Sequence, residues 1–447
     1  MSARSRPSSR VSRLCLAAAA LAIATLAASA RSGGCPLVRV DSSRLPDEVC
    51  EDAGTSNDVR FFNAFAWQSF LAVTWPAGAA RGEPDEWLPV GTTDRPLVFE
   101  TYKASWEVFA ERDTPDQPGP PPGWDVRPAT GPCGPTASHP DDLVISSYGE
   151  LEDLAQAGEG LMEPPIATQN GEYVRYTTHF NSTLFNAIRD NRLYLAANLG
   201  KITLPEGSMA VKAAWMIVNA KTPRPERYYR RWAQVRRYDG RSCERKEVAL
   251  IGLHVVKKTR LRPQFVWSTF EHRDNVPPGR GEPYALHDGD ESHPTPDVNP
   301  FALSKLSADP PPFNIIRKVP MHPSTVALNA EYDKALEGRH AVWANYQLVM
   351  TQWPRDNGQP QEDGTPPNTI PGTLMTQATS YSNPAIETFF QQPITNGCMS
   401  CHNLPRERAD FVWSLALHAW SKPHGDKSTK ARDKLLRRLN DLVRKDK

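Results

Sequence analysis

The chain has 447 residues, of which 39% are hydrophobic and 42 are proline, enough apolar mass for one large or two ordinary cores. Its 52 basic and 51 acidic residues leave a formal net charge of +1, which argues against a nucleic-acid-binding protein. Beyond the N-terminal region no stretch reaches the about 18 consecutive apolar residues that a membrane-spanning helix needs.

Arg4, Arg6, Arg10 and Arg13 precede an apolar run from Leu14 to Ala27 that ends in Ala28-Ser29-Ala30. A basic flank, a short apolar core and small closing residues predict a secretory signal peptide over 1–30, and hence a periplasmic protein. Arg10 and Arg13 are not adjacent, so a twin-arginine signal is not expected. Ser32-Gly33-Gly34-Cys35 lacks the aliphatic residue that precedes a lipidated cysteine. Without the four leader arginines the formal charge falls to about −3. The remaining cysteines are Cys35, Cys50, Cys133, Cys243, Cys398 and Cys401. In an oxidising compartment the first four are expected to pair, and of three pairings the one favoured here joins Cys35 to Cys50 and Cys133 to Cys243; buried free thiols are the alternative.

Residues 31–58 read as an irregular leader. Phe61 to Val73 holds neither Gly nor Pro, ends before Trp75-Pro76, and predicts a buried helix that is apolar nearly all round. Tyr102, Trp106 and Phe109 at helical spacing predict a second helix from Glu100 to Ala110, its aromatics serving core packing. Residues 113–142, rich in Pro, Gly and Asp, form a long loop. Tyr173 to Thr178 alternates like a strand, and Asn181 or Ser182 caps a short helix to Arg189. Further strands are expected at Leu193 to Ala197, Ala210 to Val218, Tyr228 to Tyr238, Val248 to Lys257 and Gln264 to Glu271. The apolar run of Val248 to Lys257 marks it as central and buried on both faces.

Arg224, Arg227, Arg230, Arg231, Arg236, Arg237, Arg241, Arg245 and Lys246 cluster within this block. They suit either an anionic partner or an edge hairpin whose charges block sheet-to-sheet association. Residues 277–322 are Pro-rich, Ser324 opens a helix to Gly338, Trp343 to Trp353 reads as a strand, and 355–372 is a polar loop. From Thr429 an amphipathic helix is expected. Its stripe of Leu435, Leu436, Leu439, Leu442 and Val443 is ringed by basic residues, a pattern that suits an anionic surface or packing on the chain's own domain.

Cys398-Met399-Ser400-Cys401-His402 reads Cys-x-x-Cys-His, the attachment signature of a c-type haem. Two thiols reach the two vinyl groups of one porphyrin and the next residue offers an imidazole to the iron, so Cys398 and Cys401 would bind haem c and His402 would be the proximal ligand. A redox dithiol or half a zinc site would not need the adjacent histidine. Only 45 residues follow His402 and none is Met. The sixth iron ligand is therefore sought in His418 or Met375, with Met350, Met321 and His322 as further candidates and an open iron as the alternative. Glu387, His179, His254 and Arg175 are available as a distal acid or base, though nothing in their spacing singles any of them out.

Phe65-Ala66-Trp67-Gln68-Ser69-Phe70, Ala213-Ala214-Trp215, Phe265 to Phe270 with Asn275, Gln352-Trp353-Pro354 and Glu387-Thr388-Phe389, followed by the Cys-x-x-Cys-His motif, resemble a group of large, secreted, single-haem bacterial cytochrome c family proteins. The resemblance implies covalent haem on Cys398 and Cys401 with His402 on iron, and no substrate. The expected architecture is α+β: a strand-rich antiparallel sheet or sandwich over 31–375 with flanking helices, a haem c attachment segment over 376–425, and a basic helix over 426–447. The expected function is single-electron transfer with a periplasmic redox partner and no nucleic acid. The rivals are a peroxidase-like haem enzyme with an open iron and a haem-based gas sensor or interaction subunit.

Overall fold

The computed structural model describes residues 36–50, 59–110, 116–146, 165–200, 202–240, 242–280, 282–293, 295, 306–339, 341–353, 383–389, 391 and 398–421. Its architecture is α+β, built on one curled, mixed sheet of eight strands. In chain order the strands are β1 (Lys103–Ala104), the separate hairpin β2 (Thr130–Gly131) and β3 (Gly134–Pro135), β4 (Leu143–Ile145), β5 (Arg175–Phe180), β6 (Met209–Ile217), β7 (Arg230–Arg236), β8 (Cys243–Lys257), β9 (Val266–His272) and β10 (Tyr346–Gln352). The large sheet runs β1-β5-β6-β8-β7-β4, with β9 on β8 and β10 on β9. Only β4 on β7 is a parallel pair among the described strands; the other ladders are antiparallel. The sandwich alternative is not seen among these residues.

The 15-residue β8 organises the sheet. Its first half pairs with β7 and its second half with β9, while β6 runs along both. Its register against β6 slips between Ala214 and Trp215, where Gly252 and Leu250 are the successive partners. This bulge leaves Ile251 unpaired with β6, so the faces of β8 are exchanged along its length. As a result Val248, Leu250, Leu253 and Val255 all join one hydrophobic cluster, while Ala249 and Ile251 join another.

The first cluster receives α1 (Val59–Val73) and α4 (Pro323–Glu337). Trp67 of α1 stacks on Tyr332 of α4 at 4.5 Å and stands edge-on to Phe270 of β9 at 5.0 Å. The Trp67 indole N–H donates to Asn329 Oδ1 at 3.0 Å, and Asn63 donates to Thr325 Oγ1 at 2.9 Å. The helix is apolar nearly all round because it lies between the sheet and α4, and the Asn63 amide and Trp67 indole N–H groups find their acceptors on α4.

Two elements differ from the sequence reading. In place of a helix over 100–110, a 3₁₀ turn (Val98–Thr101) gives way to β1, which pairs with β5, and only Ser105–Val108 (α2) is helical. Lys103 must run extended to meet Phe180, and that breaks the turn. Leu193 to Ala197 is not a strand: Leu195 makes a single bridge to Trp420, and Ala196–Asn198 forms a 3₁₀ turn. By contrast α3 (Ser182–Asp190) starts where expected, with the Asn181 side chain accepting from Leu184 N at 3.1 Å.

Cys133 and Cys243 form a disulfide that ties the loop of β2 and β3 to the start of β8. Cys50 is also disulfide-bonded, and Cys35, its expected partner, lies outside the described residues. The basic cluster is largely neutralised within the fold: Arg245 meets Asp142 at 2.8 Å, Arg230 meets Glu247 at 3.0 Å and Arg227 meets Asp274 at 3.1 Å. The predicted helix beyond Thr429 lies outside the described residues.

Removing the 133–243 bridge in a Cys133→Ser, Cys243→Ser variant should cost about 3–5 kcal/mol, because it closes a loop with a sequence separation of 110 residues. Equilibrium urea unfolding measures this. An unchanged midpoint would mean that the bridge contributes nothing to the folded state.

Candidate functional site

The face of the sheet opposite α1 carries the site. Strand alternation and ladder register put three rows of side chains there. One row is Phe180, Ala210, Val256 and Trp267, which belongs to or packs against a cluster with α3 and the C-terminal segment. Another is Tyr176, Ala214 and Gly252, in or beside a second apolar cluster with Ile386 and Phe389. Between them runs a polar row of Thr178, Lys212, His254 and Thr269, each opposite the next in register, with Met350 of β10 opposite Thr269. Directly opposed residues lie roughly 5 Å apart, so Lys212 and His254 are immediate neighbours on two central strands.

The turn at 383–389 covers this row. Asn383 pins it by donating to Thr269 Oγ1 at 2.9 Å and to the Phe270 carbonyl at 2.8 Å. Tyr176 donates its hydroxyl to the Ala385 carbonyl at 3.0 Å. Gly252 leaves room for Ile386, whose side chain would lie 3.1 Å from a Cβ at that position. So anchored, Glu387 brings Oε1 to 3.2 Å from His254 Nε2, while its Oε2 accepts from the Asn383 backbone at 3.0 Å.

The haem-motif segment packs beside it as three short helices, α5 (Cys398–His402), α6 (Arg406–Ala409) and α7 (Trp413–His418). One helical turn sets the Cys-x-x-Cys-His residues together, and neither cysteine is in a disulfide. His402 Nδ1 donates to the Phe411 carbonyl at 2.8 Å, and its ring lies 4.1 Å from that of Trp267. Asp410 and Phe411 both have positive φ, 44° and 71°, and this left-handed pair turns the Phe411 carbonyl back to His402. Asp410 is fully buried; its Oδ2 accepts from Lys258 Nζ at 2.6 Å and from Leu204 N at 2.7 Å. Backbone bonds from Ala196 to Trp420, Trp420 to Tyr194 and Gly200 to Arg408, each 2.8 Å, complete the attachment.

Burial lowers the His402 imidazole to about 4, an effect that the bond to Phe411 opposes and the Lys212 charge reinforces; the ring is neutral at physiological pH with Nε2 available to a metal. Burial, aided by the Glu387 carboxylate, pushes the Cys398 thiol well above its usual range. Burial also works to raise Glu387, but the His254 ring and the Lys212 ammonium together hold its carboxyl below the ordinary 4.5. Lys212 is lowered by burial, with Glu387 opposing.

The residues singled out in the sequence therefore separate. Glu387 and His254 meet each other beside the motif. His179 and Arg175 alternate onto the other face, where His179 stands edge-on to Phe99 at 5.6 Å and Arg175 donates to the Arg236 carbonyl. His322 caps α4, accepting from Ser324 N, and Met321 precedes it there. His418 packs on Phe109 at 5.7 Å, and Phe109 on Phe180 of β5, whereas His402 packs on Trp267 of β9. These two ends of the row are three strand spacings, or roughly 14 Å, apart. Met375 lies outside the described residues. Lys212, Tyr176 and Trp267 were missed; a lone Lys inside Met209-Ala-Val-Lys-Ala-Ala-Trp215 was the available signal.

Lys258→Met would strand Asp410 in an apolar surrounding. It should cost about 3–5 kcal/mol of attachment, read as faster proteolysis of the C-terminal segment, with Lys258→Met, Asp410→Leu largely restoring it. Protection that survives Lys258→Met would show that the pair does not hold the segment. Because folding depresses the Glu387 pKa, its contact with His254 contributes stability that is full above pH 4.5 and lost as pH falls through the lower folded value. Hydrogen-exchange protection over 383–389, taken relative to the intrinsic rate at each pH, should fall on acidification in the native protein, and Glu387→Gln should abolish that fall; equal acid sensitivity in both would count against the contact.

No known family model, curated protein or solved structure matches this chain.

Proposed function

We propose that the chain carries one covalent c-type haem on Cys398 and Cys401, with His402 as the proximal iron ligand, and that it passes single electrons to or from a partner protein in the periplasm. The observation that carries this reading is the helical turn Cys398–His402 with its imidazole Nδ1 committed to the Phe411 carbonyl. A ligating histidine needs its second nitrogen held in this way, since the bond fixes the tautomer and aims Nε2. When bound, the haem supplies a one-electron couple.

The surroundings of the two cysteines favour this over a redox dithiol. Reactive thiols sit where positive charge lowers their pKa, whereas burial and a carboxylate raise that of Cys398. An apolar wall is available for a porphyrin in Trp267, Phe411 and Leu415, all in one cluster with Cys398 packed against it. Export rests on the basic and apolar pattern of residues 1–30, since haem joins such motifs outside the bacterial inner membrane. A second reading, a haem enzyme acting on peroxide or another small ligand, draws on the His254–Glu387 pair, which has the composition of an acid-base couple.

Expression with a haem-attachment system tests the proposal. Covalent haem is expected in the native chain and should be lost in Cys398→Ser, Cys401→Ser. Sharp low-spin bands, altered in one of His418→Ala, Met350→Ala or Met375→Ala, would identify the sixth ligand and support electron transfer. A high-spin spectrum indifferent to all three, with peroxide turnover, would move the assignment to the enzyme. A folded native chain without covalent haem would end both.

A further inference from the structure

We propose that His254 and Glu387, with Lys212 beside them, form a proton-exchange site coupled to the haem: the pair takes up one proton from solvent when the iron gains one electron from a donor protein. This rests on the haem reading above. The balance is one electron to iron and one proton to the imidazole or the carboxylate, with no other bond made or broken.

The geometry argues for it in three steps. First, a lysine, a histidine and a carboxylate are gathered where an apolar strip would have sufficed: Lys212 and His254 are in register on central strands, and Glu387 reaches His254 at 3.2 Å. Apolar clusters flank the row on both sides, so charges there act through a medium far less screening than water. Second, the site is covered but not sealed. The His254 side chain keeps 15% of its accessibility and that of Glu387 keeps 24%, enough for a proton to arrive from solvent. Third, the row adjoins the His402 ring: His402 packs at 4.1 Å on Trp267 of β9, and two residues along that strand Thr269 stands opposite His254, so charge on the pair acts on His402. A group that shifts the ligand's proton equilibrium shifts the electron equilibrium of an iron bound to that ligand, and the coupling is reciprocal, so a change of iron charge must shift the pair's proton affinity.

The other groups facing the pair do not duplicate its role. From β5 Tyr176 contributes a buried phenol, hydrogen-bonded to Ala385 and pushed further from ionisation. From β9 Thr269 contributes a hydroxyl, and Glu271, one row away, is paired with Arg317. From α5 Cys398, on the haem reading, would be a thioether with no proton to exchange. From β6 Lys212 places its Nζ 5.5 Å from the centre of the Tyr176 ring.

The test is a potentiometric titration of the holoprotein, followed optically between pH 5 and 9. The native midpoint potential should fall as pH rises, approaching about 59 mV for each tenfold change in proton concentration where one proton accompanies each electron. His254→Gln and Glu387→Gln should each at least halve that slope while leaving the absorption spectrum unchanged. A potential independent of pH in the native protein overturns the proposal, as does a slope retained in both variants. A change of spin state in His254→Gln also overturns it and assigns His254 as an iron ligand instead. Should His254→Gln not fold, the native slope and Glu387→Gln, on the covering turn, decide the matter. Absence of covalent haem in the native chain is a different outcome, and it is the haem reading that then falls.

Discussion

Side-chain alternation across β5, β6, β8 and β9, with the bulge that leaves Ile251 unpaired with β6, determines what each face of the sheet can hold. One face is largely apolar where it receives α1 and α4, through Val211, Ala213, Trp215, Leu253, Val255 and Phe270, while Arg175, Thr177 and His179 of β5 share that face. The other face receives separate pieces of chain: α3 and the C-terminal helices on one row, and the turn at 383–389 on another. Where two covering pieces meet, the sheet is not required to be apolar, and there Lys212 and His254 lie in register. Register decides this placement, because a slip of one residue in β6 or β8 would turn these charges into the core beneath α1.

The motif segment depends on that face for its shape. Three helices of five, four and six residues have too little length to be stable alone. Their order comes from outside: Lys258 on Asp410, the backbone bonds to residues 194–200, and Trp267 under His402. Asp410 serves twice, since its carboxylate holds the Lys258 ammonium and Leu204 N while its left-handed backbone starts the turn that brings the Phe411 carbonyl to His402. Glycine would adopt that conformation but could make neither side-chain bond, and most larger residues would be strained in it.

Much of the architecture was legible because period-two alternation is a local signal. β6, β7, β8, β9 and β10 fall within a few residues of their expected places, as do α1, α3 and α4. What failed was the part set by distant partners. Tyr102, Trp106 and Phe109 keep helical spacing, yet pairing of Lys103 with Phe180 breaks the helix; Leu193 to Ala197 looks like a strand, yet finds only Trp420 as a bridging partner. The Cys-x-x-Cys-His spacing is likewise a local signal, and the structure sets Cys398, Cys401 and His402 on one helical turn. His254 and Glu387 were noticed singly, but 133 positions of sequence separate them and only the ladder and the Asn383 anchor bring them together. Lys212 passed unnoticed because one lysine in a strand reads as a solvated edge, whereas β6 lies between β5 and β8.

The energetic cost of the polar row separates a structural from a functional explanation. A lysine, a histidine and a glutamate enclosed by apolar clusters pay desolvation that their mutual attraction need not recover, and apolar residues of similar volume at such positions are often as stable or more so. A purely structural role therefore gives no reason for Lys212 and His254 to occupy central strands when the flanking rows of the same strands hold Ala210, Ala214, Gly252 and Val256. Nor does attachment of the segment need them, since Lys258, Asp410 and Asn383 already provide it. The proposed proton exchange beside a haem held at His402 does account for them. It requires charge close to His402, shielding that keeps the charge effective, and a remaining path to solvent: the row adjoins Trp267, on which His402 packs, apolar clusters flank it, and His254 and Glu387 keep partial exposure.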